Sequence, residues 1–553
     1  MMRGIHMILA VLVCGITGQG WGQTAGRMPV PVTPWRAQDD IIDGWDWSLP
    51  LGIAPIPRSG TTMPWPRVDG KRWDLPGNEL GSVRAKWREL EPEEGRYDFE
   101  PLRQRILKAS REWDGVILHV YGSVWTLRGF PDHPNANYPP NWIDRNAESN
   151  ASAPRWLAKY HIPKLEERPR YNLRTPFQII NLDIYHEAYH SRYLKFVEAF
   201  GKSGIPQMPE VMFAYLHTKS GSRGEEGMVP KSEPGITRLK ERLAAWAKAF
   251  KGVEWKLAYT AGVGDIVSYA YQLGMGQRNG FVEQVVNHMP NPELGQLVDA
   301  DGYLTVDESL PPIAENRAFG DENEEYTDSM VPRFGPWTTF AHRFRESTLR
   351  VLQMRRNFLW IEPTRMDPQM TAYLSLELGR NVHDAPDVWC YLRESYPRHK
   401  GKPLQVKNFE RWLYQRDRPS YVAAATAKVA VPKNMQNYHA DHYYDYTART
   451  TDRTGGNGAI GFAVDDRFLS GGPHRVAVKV TYHDQGKWAL VYNGGAARRE
   501  LTCRGYGNVR TATFFLQDAR FDATGMNFDF EIRALEGEAV IKFVRVVKLR
   551  TTK

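Results

Sequence analysis

The sequence predicts an α/β chain: a (β/α)8 TIM barrel followed by an all-β sandwich of jelly-roll type. From about residue 50 to 400, short apolar runs alternate with stretches whose apolar residues recur every three or four positions. That alternation marks repeated strand–helix units and therefore a parallel sheet. Beyond about residue 420 the apolar residues recur every second position between turns rich in Gly, Asn and Asp, as antiparallel strands do. Some 350 residues of strand–helix repeat suit a closed barrel with insertions.

Residues 1–22 read as a signal peptide. Arg3 and His6 precede the apolar run Met7–Ile16, about ten residues long and too short to span a bilayer, and small residues near Gly22 and Gln23 suit cleavage. A secreted or periplasmic location with no membrane span is the resulting expectation. Residues 23–50 form an N-terminal arm, and the barrel is expected over 51–405. Its strand-like runs include Val116–Tyr121, Glu210–Leu216, Trp255–Thr260, Gln272–Gln277, Arg317–Gly320 and Phe358–Ile361. Helical stripes lie between them, such as Leu102, Ile106, Ala109 and Trp113, or Tyr189, Tyr193, Phe196, Val197 and Phe200. The Pro-, Asn- and Trp-rich stretch 126–174 reads as an elaborated loop after a strand. Residues 406–424 connect and pack the two domains, and 425–553 form the sandwich, with Val476, Val478, Val480 and Tyr482 on one face of one strand.

Lys plus Arg number 72 and Asp plus Glu 64, for a net charge of +8. The excess is spread along the chain, which argues against a nucleic-acid partner and is compatible with an anionic polysaccharide. Aromatic residues are abundant, with 18 Trp and 26 Tyr, side chains that stack on sugar faces while keeping a polar handle. Beyond the leader only Cys390 and Cys503 remain, too few for a disulfide framework; two free thiols are expected, and a single bridge stays open. There is no Gly-x-Ser-x-Gly elbow, phosphate loop or His-Glu-x-x-His, so no cofactor or metal is expected. His439 and His442 read as surface polar residues, and Tyr443 and Tyr444 would stack a sugar if the sandwich binds carbohydrate.

The most specific local pattern is Trp87–Phe99, WRELEPEEGRYDF: a strand end, a turn at Glu91-Pro92, a second turn at Gly95 and a helix start near Asp98. It resembles the W-x-x-x-E-P-x-x-G-x-Y-D-F segment of clan A glycoside hydrolases, retaining (β/α)8 enzymes, and most of all those like the family 42 β-galactosidases. The resemblance implies that Ser82–Trp87 is the second barrel strand and that the runs listed above are the third to the eighth. It also implies an acid/base Glu after the fourth strand and a nucleophilic Glu after the seventh. The chain carries Gly224-Glu225-Glu226 beyond the fourth strand, where the family shows Asn-Glu, and Asp321 to Glu325 beyond the seventh. Glu225 is the expected acid/base and Glu322 the expected nucleophile, with Glu226 and Glu324 as alternates and Arg223 or Arg317 as cations that keep Glu322 charged.

Two carboxylates are what such chemistry needs: one ionised to attack the anomeric carbon, one protonated to help the leaving oxygen depart. Expected substrate contacts at strand ends are Arg84, Trp87, Tyr121, Trp125, His217, Tyr259, Asn279, Trp360 and Glu362, with His119 and Gln277 also on those strands. The function expected is cleavage of a polysaccharide or oligosaccharide, of β-galactoside type or anionic. A glycan-binding protein on an inactive barrel and a lyase for acidic polysaccharide are the alternatives the sequence leaves open.

Overall fold

The computed structural model describes residues 40–62, 72–122, 124–127, 152–163, 178–216, 232–260, 264–278, 292–323, 340–361, 366–395, 398–399, 402–419, 421–425, 428–430, 444–523 and 528–549. Among these, eight parallel strands close into a barrel: β1 (Gly60–Thr62), β2 (Glu79–Lys86), β3 (Gly115–Tyr121), β4 (Val211–Leu216), β5 (Leu257–Thr260), β6 (Gly276–Arg278), β7 (Phe319–Asn323) and β8 (Phe358–Ile361). Ring closure runs from β8 back to β1, where Trp360 lies opposite Thr62. Helices Glu100–Ala109, Glu187–Lys202, Glu233–Ala249, Asp265–Gln272, Phe340–Gln353 and Pro368–Glu377 follow strands of this ring.

Strands buried on both faces read as continuous apolar runs, which is why VILHVY and VMFAYL stand out in the sequence. Side chains alternate between two apolar layers. Val116, Leu118 and Val120 point out to the helices with Leu102, Phe196, Leu243 and Trp246. Leu80, Ile117, Phe213, Tyr215, Ala258, Ala318, Phe358 and Trp360 fill the ring itself. Helix starts are capped as the sequence dictates: Ser232 accepts from the Gly235 N–H and Asp367 from the Met370 N–H, each with Pro in the first turn.

Strand six differs from its sequence expectation. Residues Asp265–Gln272 are helical, with Ile266, Val267, Ala270 and Tyr271 buried on one face, and the strand proper is Gly276–Arg278. Strand seven runs Phe319–Asn323 rather than ending at Gly320, so Glu322 lies within the strand.

The antiparallel part begins earlier than residue 425. Strand Asp387–Ser395 already belongs to a sheet of ten described strands, in which Val540–Lys548 and Gly471–His483 are central and Asp40–Asp43 of the N-terminal arm pairs at the edge. Val406–Arg411 is a further strand of this sheet, and Leu413–Gln415 opens a second, five-stranded sheet. Side chains of both sheets, among them Val388, Leu392, Phe462, Val478, Leu490, Phe514 and Ile532, form one shared core. Cys390 is buried on the first sheet and Cys503 partly buried after strand Ala497–Thr502 of the second; both are free thiols. No described helix is long and apolar enough to cross a membrane.

Candidate active site

The Trp87–Phe99 segment folds around one carboxylate. Glu91 is buried; its Oε2 accepts from Trp87 Nε1 at 2.6 Å and its Oε1 from the Gly95 N–H at 2.8 Å, while Asp98 N donates to Leu90 O. Burial pushes the Glu91 carboxyl up, against these bonds. Gly95 takes a φ of 79°, a left-handed turn that suits glycine. The motif therefore anchors the end of β2 and contributes no group to the ring interior. Trp87 itself is fully buried among Trp156, Tyr189, Tyr193 and Phe196 on the helix side, so its expected role as a substrate contact is corrected to packing.

The strand pleat decides which residues reach the mouth. On β2, Ser82, Arg84 and Lys86 are partly exposed while Val83 and Ala85 are buried against the helices. Arg84 lies opposite His119, and Lys86 opposite Tyr121. His119 in turn lies opposite Tyr215 on β4, with ring centroids 4.5 Å apart, edge to face. Tyr215 stacks on Trp360 at 5.1 Å, and Trp360 also meets His119 at 5.1 Å. Tyr121 stacks beside His119 at 6.0 Å. Burial holds the Tyr215 phenol far above its usual range, so it remains neutral. These side chains form an aromatic wall across β3, β4 and β8.

Glu322 faces that wall. It sits on β7 opposite Trp360, is 8% exposed, and accepts a hydrogen bond from the Arg278 guanidinium in a buried ion pair. Arg278 projects from the end of β6, 5.4 Å from the Tyr215 and Trp360 ring centroids. Its neighbours on β7 point the other way: Asp321 pairs with Arg356 at 2.5 Å, and Asn323 donates to Ser347 at 2.9 Å on the outer helix. A guanidinium bonded to a carboxylate favours the ionised form, and the rings of Tyr215 and Trp360 flank the guanidinium.

The structure thus brings together Arg84, Tyr121, Trp360 and Glu322 from the sequence candidates, with His119, and adds Arg278 and Tyr215. Tyr259 is fully buried on the helix side of β5, and Gln277 accepts from Tyr271 Oη outside the ring; neither reaches the mouth. Arg317 bonds Glu315 and the Tyr271 and Met275 carbonyls at the start of β7, so Arg278 takes the place expected for it beside Glu322. Trp125 lies on strand Val124–Leu127, opposite Ile180 of a short antiparallel pair. His217, Arg223, Glu225, Glu226, Asn279, Glu324 and Glu362 lie outside the described residues. Arg278 was missed because the strand was expected to end at Gln277, and Tyr215 because it reads as one more apolar residue of its run. Among the described residues no group of three or more His, Cys, Asp or Glu could hold a metal ion.

No protein-family model matches the chain, and no curated protein matches it. Among solved structures it is similar to an exo-β-1,4-mannosidase from Opitutaceae bacterium strain TAV5, at 11% identity and a TM-score of 0.27, over 54% of this chain and 49% of that one. It is also similar to xylanase 10B from Thermotoga maritima, at 11% identity and a TM-score of 0.25, over 54% of this chain and 86% of that one. The isomalto-dextranase of Arthrobacter globiformis T6 follows at 8% identity and a TM-score of 0.24, over 92% of this chain and all of that one (100%). The chain spans about half the length (49%) of the mannosidase. At these scores the likenesses carry no argument about chemistry; the fold rests on the closed ring of strands.

Proposed function

We propose that this chain is an exported glycoside hydrolase that cleaves a polysaccharide or oligosaccharide by a retaining, two-step mechanism. The observation that carries the reading is the placement of Glu322: a buried carboxylate on the C-terminal half of β7, paired to Arg278 and facing the Trp360–Tyr215 wall. Active sites of (β/α)8 barrels lie at that end of the strands.

In the first step Glu322 attacks the anomeric carbon. The bond to the leaving oxygen breaks, and Glu225, in the segment following β4, gives that oxygen its proton. The product is a glycosyl ester on Glu322. In the second step Glu225 takes a proton from water as the water attacks the anomeric carbon, and the ester bond breaks, returning Glu322 to its ionised form. Arg278 keeps Glu322 charged and aimed through both steps, while Tyr121, half-buried at the end of β3, offers a face on which a sugar ring stacks. The reading requires the two carboxyl groups about 5–5.5 Å apart.

The test is a panel of neutral, uronic and sulfated oligosaccharides assayed with wild type, Glu322→Gln and Glu225→Gln. Wild type should turn over at least one member with retained anomeric configuration. Each variant should stay folded by circular dichroism and lose roughly 10²–10⁴-fold or more in rate. Trapping with a 2-fluoro glycoside should label Glu322. Full activity in Glu322→Gln, or an inverted product, overturns the mechanism; unsaturated products absorbing in the near ultraviolet point instead to a lyase.

A further inference from the structure

We infer that the sandwich carries a second glycan-binding site, for a neutral sugar residue, on the outer face of its five-stranded sheet around Glu531, Arg533 and Tyr421. The class of ligand is argued from these side chains; that the glycan is the polymer cut at the barrel rests on the reading above.

The first observation is a carboxylate. On strand Phe530–Glu536, Phe530, Ile532 and Ala534 point into the shared core, so Glu531 and Arg533 stand on the opposite face. The Glu531 side chain is nevertheless fully buried. Its Oε1 accepts from Arg533 Nε at 2.6 Å and Nη2 at 2.5 Å, while Oε2 is shielded from solvent and has no hydrogen-bond partner among the described residues. A buried acceptor left unpaired costs stability and signals a missing partner. An ionised carboxylate only accepts, so that partner must bring a donor.

The second observation is what surrounds it. Across the sheet Glu531 lies between Gly461 and Val491, and Arg533 between Ala459 and Ala489, so small side chains floor this face. Gly461 makes room for the Phe528 ring, which a Cβ there would meet at 2.3 Å. Tyr421 packs edge-on against Phe528 at 5.2 Å, and the exposed Arg418 lies 5.4 Å from the same ring. The Tyr421 phenol, pushed up first by burial and then by Glu531, lies beside both Glu531 and Arg533 yet leaves Oε2 unbonded. Tyr421 is partly exposed and the Arg533 side chain half-exposed, so a ligand that turns either aside meets Glu531. Farther along this face Glu500 pairs with Lys487 at 2.9 Å and with Arg498 at 2.8 Å. An anion would be set against Glu531 and a cation against Arg533. A sugar hydroxyl donates to the carboxylate and accepts from the guanidinium, and an aromatic ring stands beside them; acceptor, donor and ring together suit a neutral sugar.

The experiment is affinity electrophoresis through gels that each hold one neutral polysaccharide, namely xylan, mannan, galactan, β-glucan or dextran. The proteins run are wild type, Glu322→Gln, Glu531→Gln, Tyr421→Ala and Arg533→Ala. At least one polymer should retard both wild type and Glu322→Gln. For that polymer the three sandwich variants, folded by circular dichroism, should bind roughly tenfold or more weakly. Tyr421→Ala and Arg533→Ala change surface side chains and keep the test open should Glu531→Gln fail to fold. Retardation of wild type by none of the polymers, or retardation undiminished in either Tyr421→Ala or Arg533→Ala, overturns the inference and marks the Glu531 oxygen as a water site. The two readings fail separately. Retardation lost in the sandwich variants, with no turnover by wild type, sinks the hydrolase and leaves this site, whereas turnover with retardation unchanged in those variants does the reverse.

Discussion

Arg278 is the residue on which the proposed nucleophile depends. Both partners of its pair with Glu322 are almost fully buried, and two aromatic rings flank the guanidinium. Breaking a buried pair by removing one partner costs about 3–5 kcal/mol, because it leaves the other charge uncompensated. Glu322 has a second way to respond, by taking a proton. Arg278→Met should therefore raise the pH at which Glu322 ionises and move the acid limb of kcat/KM to higher pH by about one to three units. Arg278→Lys, which keeps the charge and loses the planar fork, should restore most of the acid limb but less of the rate. A profile unmoved in Arg278→Met would assign the arginine to packing alone.

Elements were legible in the sequence in proportion to how apolar both their faces are. β3, β4 and β8 face a helix layer on one side and the packed ring on the other, and they emerged as runs of VILHVY, VMFAYL and FLWI. β1, β6 and β7 read as GTT, GQR and FGDEN, short and polar although every position in them is buried. The residues that make the mouth chemical thus hid the strands that hold them, and Arg278 went with them. The same physics hid the sandwich strand Asp387–Ser395. Its Asp387 and Arg393 look like surface residues until Arg545 and Glu346, far along the chain, are folded against them. Two glycines on the short strands leave a further mark. A Cβ on Gly276 would lie 1.8 Å from the Ala318 carbonyl oxygen, and one on Gly320 would lie 2.3 Å from the Phe358 ring, whereas at Gly115 the nearest atom is 3.4 Å away. Backbone cannot swing aside as a side chain can, so Gly276→Ala should cost about 1–3 kcal/mol or more. Gly115→Ala, also in a barrel strand, should cost far less. Equal melting temperatures for the two variants would contradict the packing described for β6 and β7.

At the scale of the whole molecule, barrel and sandwich are joined by a continuous core. The outer faces of β8 and of helices Phe340–Gln353 and Pro368–Glu377 give Leu359, Ile361, Leu349, Leu352, Tyr373 and Leu374; the sandwich gives Trp389, Tyr391, Phe409 and Phe543, and the N-terminal arm Trp45 and Trp47. Polar bonds cross the same seam, such as Arg411 to Glu377 at 2.5 Å. Glu308, between β6 and β7, bonds to both sides of the seam. It accepts from Arg355 at 2.8 Å on the barrel, and from Trp412 Nε1 at 2.6 Å and Arg467 at 2.8 Å on the sandwich. Burial alone would push its carboxyl up, but the Arg355 charge and these bonds outweigh burial and hold it below the usual range. Asp417 is likewise held down, chiefly by Arg449 and with Lys407, against its own burial. A carboxyl whose pKa is lower in the folded than in the unfolded state binds more protons on unfolding. Its stabilising contribution is therefore complete above the ordinary carboxylate range and fades as pH falls below it. Calorimetry at neutral pH should show barrel and sandwich melting together. Glu308→Ala should lower stability by about 1.5–3 kcal/mol, the worth of a hydrogen bond to a charged group, since part of the side chain is open to water. It should also split the transition in two, as acidification below about pH 4 should do to wild type. A single unshifted transition in Glu308→Ala would mean that the apolar seam alone couples the domains, and the acid sensitivity would then have to arise elsewhere.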